Sequence, residues 1–287
     1  MPVLVEDRGG TVALLLVSLF FHGTWPALIT LLERRGRLPQ HTYLDYSITN
    51  LLAAVIMALV LGQAGESTNG TAKFFSQLAQ DNWPSVLFAM AGGIALGLAN
   101  LLLQYSIPFL GLSVATVILT CLGMVVADPA ELEISQAKVG TAEFIIQVEE
   151  RRSIKVFGSD KWLGIGLVFL TAVCASLSFV GSNLGTNDQW HTLSNGTPHL
   201  VVYTVFFYFT VSCFVLEVCL NVWFLYQPRA GVPASTIGAY TMDWKGRNWA
   251  LVAGLLCGFG NGLKLMGAQA AGYAASDAVL VPFSALN

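Results

Sequence analysis

Apolar residues in this chain come in long unbroken runs, separated by short segments that hold nearly all of the charge, rather than in the amphipathic stripes of a soluble fold. A helix that spans the hydrocarbon layer needs about 20 mainly apolar residues, because the layer is about 30 Å thick and each residue rises about 1.5 Å. Thr11 to Leu32 and Tyr46 to Gly65 are uncharged and long enough, and Asn82 to Ala127 contains no Asp, Glu, Lys or Arg. As one helix that third run would be roughly 70 Å long. It must fold back, and Pro108 predicts the break, with helices near Ser85 to Tyr105 and Phe109 to Val126. Trp162 to Asn183, Leu200 to Tyr226 and Trp249 to Tyr273 complete seven predicted crossings of an all-α membrane protein. The first run is too long for a signal-peptide core and lacks a basic leader, so it reads as a retained helix. Thr141 to Phe157 differs: Phe144, Ile145 and Val148 share one side and Glu149, Arg151 and Arg152 the other, as in a helix lying on the membrane surface.

Composition agrees with burial in lipid. Of 287 residues 55% are hydrophobic and 11% charged, and the mean hydropathy is +0.65, whereas a soluble chain carries about 25% charged residues. A net charge of −3 with no basic cluster beyond ERR and RGR gives no footprint for nucleic acid. Cys121, Cys174, Cys213, Cys219 and Cys257 all fall in apolar stretches, as small hydrophobes rather than a disulfide framework or a metal site.

Lys and Arg accumulate on the cytoplasmic side of membrane proteins. Arg34, Arg35 and Arg37 after the first run outweigh Arg8 before it, which puts the amino terminus outside. The loop from Gln63 to Asp81 has only Lys73 and belongs outside as well. Strict alternation then places Asp128 to Lys161 outside, yet it holds Lys138, Arg151, Arg152, Lys155 and Lys161, which argue for the cytoplasm. Leu184 to His199 has neither Lys nor Arg, and Gln227 to Arg247 has Arg229, Lys245 and Arg247, so the two halves agree internally and disagree with each other. One absent crossing between Val126 and Trp162 would reconcile them.

An offset of 161 positions superposes Gly93 on Gly254, Gly97 on Gly258, Asn100 on Asn261, Gly111 on Gly272 and Trp83 on Trp244. Recurring glycine alone suits close helix packing; the matching Asn and Trp favour a duplication. The equivalent helices leave loops of opposite character, which makes the repeats inverted, the architecture in which secondary transporters bind substrate at mid-membrane. Residues 1–127 then form a first repeat of four helices, 128–161 a cytosolic loop, and 162–287 a second repeat of three.

The segments GTWPALITLLERRGRLPQHTYLDYSITNLLAAVI, LAQDNWPSVLFAMAGGIALGLANLLLQY, TNDQWHTLSNGTPHLVVYTVFFYF and AGLLCGFGNGLKLMGAQAAGYAASDAV resemble plant ureide permeases, ten-helix proteins related to the drug/metabolite transporter superfamily. The resemblance covers loops as well as apolar runs and spans nearly the whole chain. It implies a plasma-membrane carrier that imports allantoin and related ureides, or nucleobases such as uracil, with proton coupling. Members have a fifth helix before their long cytosolic loop, whereas Val126 here passes almost directly into ADPAELEISQAKVGTAEF. They also continue through two helices beyond the Ala-Asp-Ala-Val segment, where this chain has LVPFSALN. The alternative reading is therefore a truncated, non-transporting form, or another drug/metabolite-type carrier.

Polar groups at bilayer depth are functional candidates by default. Asn100 and Asn261 could offer donors and acceptors to the amide edges of a ureide, or simply bond helices together. Gln104 lies one turn beyond Asn100 on the same face and Gln269 two turns beyond Asn261. Trp25, next to Pro26, is expected to interrupt the first helix and offer a flat face for a planar heterocycle, with packing as the plainer role. His22 could relay a proton or sit buried and neutral, and Asp277 is the preferred proton-coupling carboxylate. Glu217 and Lys264, charged within apolar runs, could pair, or Lys264 could snorkel; they could also mark an inactive variant. Arg34, Arg35 and Arg37 read as a topology anchor. Asp45 heads the second helix, as a start residue or a gate partner for these arginines.

No phosphate-cradling glycine loop, nucleophile elbow or zinc-protease motif occurs, so neither ATP-driven transport nor a membrane enzyme is expected, and no cofactor or metal. The sequons at Asn69 and Asn195 fall in loops placed outside by charge. The expected partners are a small solute, protons and the bilayer, with homo-oligomerisation left open.

Overall fold

The computed structural model describes residues 8–63, 72–110, 112, 115–119, 161–188, 198–228 and 232–271. Eight helices are labelled here: α1 (Arg8–Arg34), α2 (Pro39–Val60), α3 (Phe74–Leu78), α4 (Trp83–Leu110), α5 (Lys161–Thr186), α6 (Val202–Tyr226), α7 (Ile237–Met242) and α8 (Arg247–Ala271). There is no strand among the described residues. Six of the helices, all but α3 and α7, are long and apolar enough to cross a membrane. Most of the fourth predicted crossing, Phe109 to Val126, lies outside the described residues, as do the surface helix predicted at 141–157 and both sequons.

Three boundaries differ from the sequence expectation. Pro26 does not interrupt α1, which runs unbroken through it, and α4 continues past position 108 to Leu110. A proline removes one backbone bond, and neighbouring helices and hydroxyls tolerate that loss in lipid. The second helix starts at Pro39 rather than near Tyr46. Proline suits the first helical position because its missing N–H has no intrahelical partner there. Asp45 therefore lies within α2 rather than at its head.

The glycines report which helices approach most closely and in which direction each runs. Along α8, Gly254 meets Tyr46, Gly258 meets Asn50 and Ala53, and Gly262 meets Met57, so α2 and α8 are parallel. Gly246 meets Leu32, Gly260 meets His22 and Gly267 meets Leu15, so α1 runs against α8. On the other side α4 parallels α6, with Gly93 at Phe209 and Gly97 at Cys213, while α5 opposes α4, with Gly185 at Ser85 and Gly164 at Leu110. The two groups meet where α2 crosses α6 antiparallel, from Gly62 at Tyr203 to Gln40 at Phe224. The helices thus stand in the neighbour order α1, α8, α2, α6, α4, α5.

This order reads the same from either end if α1 is matched with α5, α2 with α6 and α8 with α4, and each matched pair runs in opposite directions. One contact makes the match concrete. Ser212 Oγ donates to Met90 O (2.8 Å) and lies against Gly93; Thr49 Oγ1 donates to Leu251 O (2.7 Å) and lies against Gly254. Met90 and Leu251, like Gly93 and Gly254, are related by the offset found in the sequence.

These directions place Arg34, Lys161, Lys245 and Arg247 at one surface, the basic face, and Val60, Trp83, Thr186 and Val202 at the other. Leu110 ends α4 and Lys161 begins α5 on the same basic face, the parity demanded by the basic residues before Trp162. Exposed Trp83, Trp162, Trp244 and Trp249 sit at helix ends, where amphipathic rings occupy the lipid–water boundary.

Candidate functional site

Polar groups gather at two depths. At the basic face, early α2 meets α7 and the start of α8 around two acids. Arg37 Nη2 donates to Asp45 Oδ2 (2.5 Å), Arg247 Nε donates to the same oxygen (3.2 Å), and Tyr240 OH donates to Asp45 Oδ1 (2.7 Å). Asp243 Oδ2 lies 2.7 Å from His41 Nδ1 and 3.5 Å from Arg37 Nε, and His41 Nε2 is 2.8 Å from Ser235 Oγ. Burial pushes the Asp243 carboxyl up, but the His41 hydrogen bond and the charges of Arg37 and His41 outweigh it and hold the carboxyl below its usual range. Burial, and then the bond to Asp45, push the Tyr240 phenol up. Arg37, one of the three arginines expected to anchor topology, thus pairs with Asp45 instead of standing free at the surface.

Midway through the bundle a second set contains no Lys or Arg. Asn100 Nδ2 donates to Glu217 Oε1 (3.0 Å) and approaches Tyr46 OH (3.3 Å). Tyr46 OH donates to Cys257 Sγ (2.8 Å), which also accepts from Asn261 Nδ2 (3.3 Å). Asn261 Oδ1 is 3.0 Å from His22 Nε2. A continuous chain of contacts therefore runs from His22 on α1 through α8, α2 and α4 to Glu217 on α6. The two asparagines matched in the sequence face this shared interior; they are joined through Tyr46 and Cys257 rather than directly.

Beside the chain stands an aromatic wall. The Trp25 and Tyr46 rings are 5.3 Å apart and those of Tyr43 and Tyr46 5.1 Å, packed with Leu103 and Ile107 of α4. Gln104, one turn from Asn100, is 1% exposed. Both of its amide atoms, and Trp25 Nε1, have no hydrogen-bond partner among the described residues. Buried polar atoms are ordinarily satisfied, so the Trp25 N–H within the aromatic wall and the Gln104 amide one turn from Asn100 are left able to bond a further group.

The other candidates fall elsewhere. Gln269 is half-buried with Oε1 unpaired, and lies about 12 Å along α8 from Asn261 toward the far face. Asp277 lies outside the described residues. Lys264 does not pair with Glu217: its ammonium stands over the Phe179 ring, 3.6 Å from the centroid, while Glu217 is held by Asn100, Ser47 and Cys213. Sequence reasoning missed Tyr43 and Tyr46. Their spacing of three on a helix that also carries Asp45 and Asn50 was the available signal.

Comparison with known proteins bears on what such a bundle does. The ureide permease family profile matches residues 42–131 and 127–285. The chain belongs to the ureide permease family. Ureide permease 2 of Arabidopsis thaliana is 46% identical over 96% of this chain and 87% of its own length. Ureide permease 5 of the same plant is 47% identical over 96% and 84%. Probable ureide permease A3 of Vigna unguiculata is 44% identical over 94% and 91%. No solved structure is significantly similar. The alignment to ureide permease 2 spans 345 positions, more than the 287 residues here, so relatives of this permease hold an internal stretch that it lacks. The two family blocks meet at 127–131, where the charge pattern asks for one more crossing.

Proposed function

We propose that this permease is a secondary-active carrier that imports ureides such as allantoin, or nucleobases such as uracil, across the plasma membrane with its amino terminus outside, driven by protons. It is a multi-pass membrane protein of a transporter family, and the finer reading rests on one observation: in the buried interior, among the described residues, the Trp25 N–H of the Trp25–Tyr43–Tyr46 wall and the Gln104 amide one turn from Asn100 have no hydrogen-bond partner. A ureide is flat and lined with N–H and C=O groups. It can stack on the indole and phenol rings while its carbonyl accepts from Gln104 and Trp25 and its N–H donates to Gln104 Oε1. Asn100 and Asn261 then hold the helices that carry the site, and they reach the solute as well if it displaces the Tyr46 and Cys257 contacts.

Two inverted repeats meeting at α2 and α6 would let the same site open alternately to either face. Closure of the basic face falls to Asp45, Arg37, Asp243 and Arg247. His22, and Asp277 from the sequence, are the relay groups first considered for the proton. The gap in the alignment supports a second reading, a form of the carrier that is folded yet does not complete transport.

Uptake of labelled allantoin and uracil in yeast lacking its own permeases separates these. The first reading expects uptake that saturates, that unlabelled ureide competes and that a protonophore abolishes. A chain that reaches the membrane and takes up neither solute supports the second.

A further inference from the structure

Glu217 sits two-thirds of the way along α6 with none of its surface exposed, and a carboxyl at that depth is costly unless it has a task. Its surroundings are unusual for an anion. Asn100 Nδ2, Ser47 Oγ and Cys213 Sγ are its hydrogen-bond partners, and no Lys, Arg or His forms an ion pair with it among the described residues. The titratable groups nearest to it are Tyr43 and Tyr46 of α2, Cys257 of α8 and Cys213 of its own helix. Asn100 of α4 does not titrate.

Counting protons at Ser47 sharpens the picture. Ser47 Oγ is 2.7 Å from Glu217 Oε2 and 2.7 Å from Tyr43 O. A hydroxyl has one hydrogen to donate, so it cannot donate to both. Both short contacts are hydrogen bonds at once if Glu217 carries a proton on Oε2 and donates it to Ser47, which donates onward to Tyr43 O. When that proton passes to water admitted as the carrier reopens to the receiving side, a rotation of the Ser47 hydroxyl turns its hydrogen to Oε2, and Tyr43 O keeps its helical bond. Asn100 Nδ2 donates to Oε1 in both states. The site can therefore hold and release a proton with one side-chain rotation and no net change in the other groups.

We propose that Glu217 is the proton-carrying carboxyl of the transport cycle, loaded in the arrangement seen here and held through Asn100 and Ser47. This rests on the proton-coupled reading above and moves the coupling role from Asp277 to α6. Asn100 joins it to Tyr46 of the aromatic wall (3.3 Å), so solute and proton occupancy share a residue.

The test uses the full chain in proteoliposomes with labelled allantoin. Wild-type uptake is expected to rise several-fold when an inward proton gradient is imposed. Glu217→Gln places an amide that donates to Ser47 and accepts from Asn100, as the protonated acid does. It should retain solute exchange at equal pH while the gradient gives no stimulation. A Glu217→Gln protein that is still stimulated like wild type overturns the assignment and leaves the carrier reading standing. If wild type moves no solute, the carrier reading fails, and the carboxyl is judged by infrared spectroscopy. A carboxylic-acid C=O band at neutral pH that Glu217→Gln lacks supports a proton there, and its absence from wild type overturns it. Should Glu217→Gln not fold, Glu217→Asp is expected to fold with weakened coupling, and full coupling in it counts against the proposal.

Discussion

A side chain that is buried and unpaired announces itself by what its removal does not cost. The Gln104 side chain makes no hydrogen bond among the described residues, so Gln104→Leu should leave the melting temperature of the detergent-solubilised protein unchanged or raised, since replacing an unsatisfied buried amide relieves about 1–3 kcal/mol. The same change should raise the KM for allantoin about tenfold, the loss of one good hydrogen bond. Trp25→Phe keeps a ring against Tyr46 but removes three ring atoms, the unpaired N–H among them, so a stability loss of about 1 kcal/mol should accompany a weaker KM. A large loss of stability in either would mean that these residues are packing. At this scale the sequence was partly legible. Asn100, Gln104 and Trp25 stand out as polar or aromatic residues in apolar runs, and they do face the interior. Glu217 stood out equally but looked like an intruder, because its neutral partners Ser47 and Asn100 come from helices far away in sequence, which periodicity cannot bring together.

Among helices, the paired hydroxyl contacts carry the packing. A Cβ at Gly93 would overlap Phe209 O and Ser212 Oγ, and one at Gly254 would overlap Tyr46 O and Thr49 Oγ1; in both places the obstacle includes backbone, which cannot step aside cheaply. Gly93→Ala and Gly254→Ala should each destabilise the bundle by about 1–3 kcal/mol, and by similar amounts because the contacts match. A thermal melt in detergent checks this; unchanged melting in both would mean that the helices do not meet as described. The glycine and asparagine spacing made the match visible in the sequence. The helix ends were harder to read, because Pro39, Gln40, His41 and Asp45 look like loop until the cluster that buries them is seen, and Pro26 and Pro108 look like breaks until neighbouring helices are present.

For the molecule as a whole, charge distinguishes the two faces. The basic-face cluster ties α2 to the start of α8, and its Asp243 carboxyl is held below the ordinary Asp value of about 3.9. A carboxyl whose folded value is depressed stabilises the fold above its unfolded value, and that contribution is lost as pH falls through the folded one. The melting temperature should therefore drop between about pH 5 and pH 2, and Asp243→Asn should reduce that drop while starting from a lower value; an identical pH profile in the variant would remove Asp243 from the latch. The positive charges that defined this face in the sequence also located its parity problem near Val126, and α4 and α5 do meet the same face. Charge could not reveal that Arg37 turns inward to Asp45, since surface and buried arginines look alike in a sequence. The most direct measurement of the whole account is counterflow in proteoliposomes: vesicles preloaded with unlabelled allantoin and diluted into a trace of labelled allantoin. The account predicts transient accumulation of label that Gln104→Leu weakens and that empty vesicles lack. A folded, correctly inserted wild-type chain that accumulates no label would contradict it.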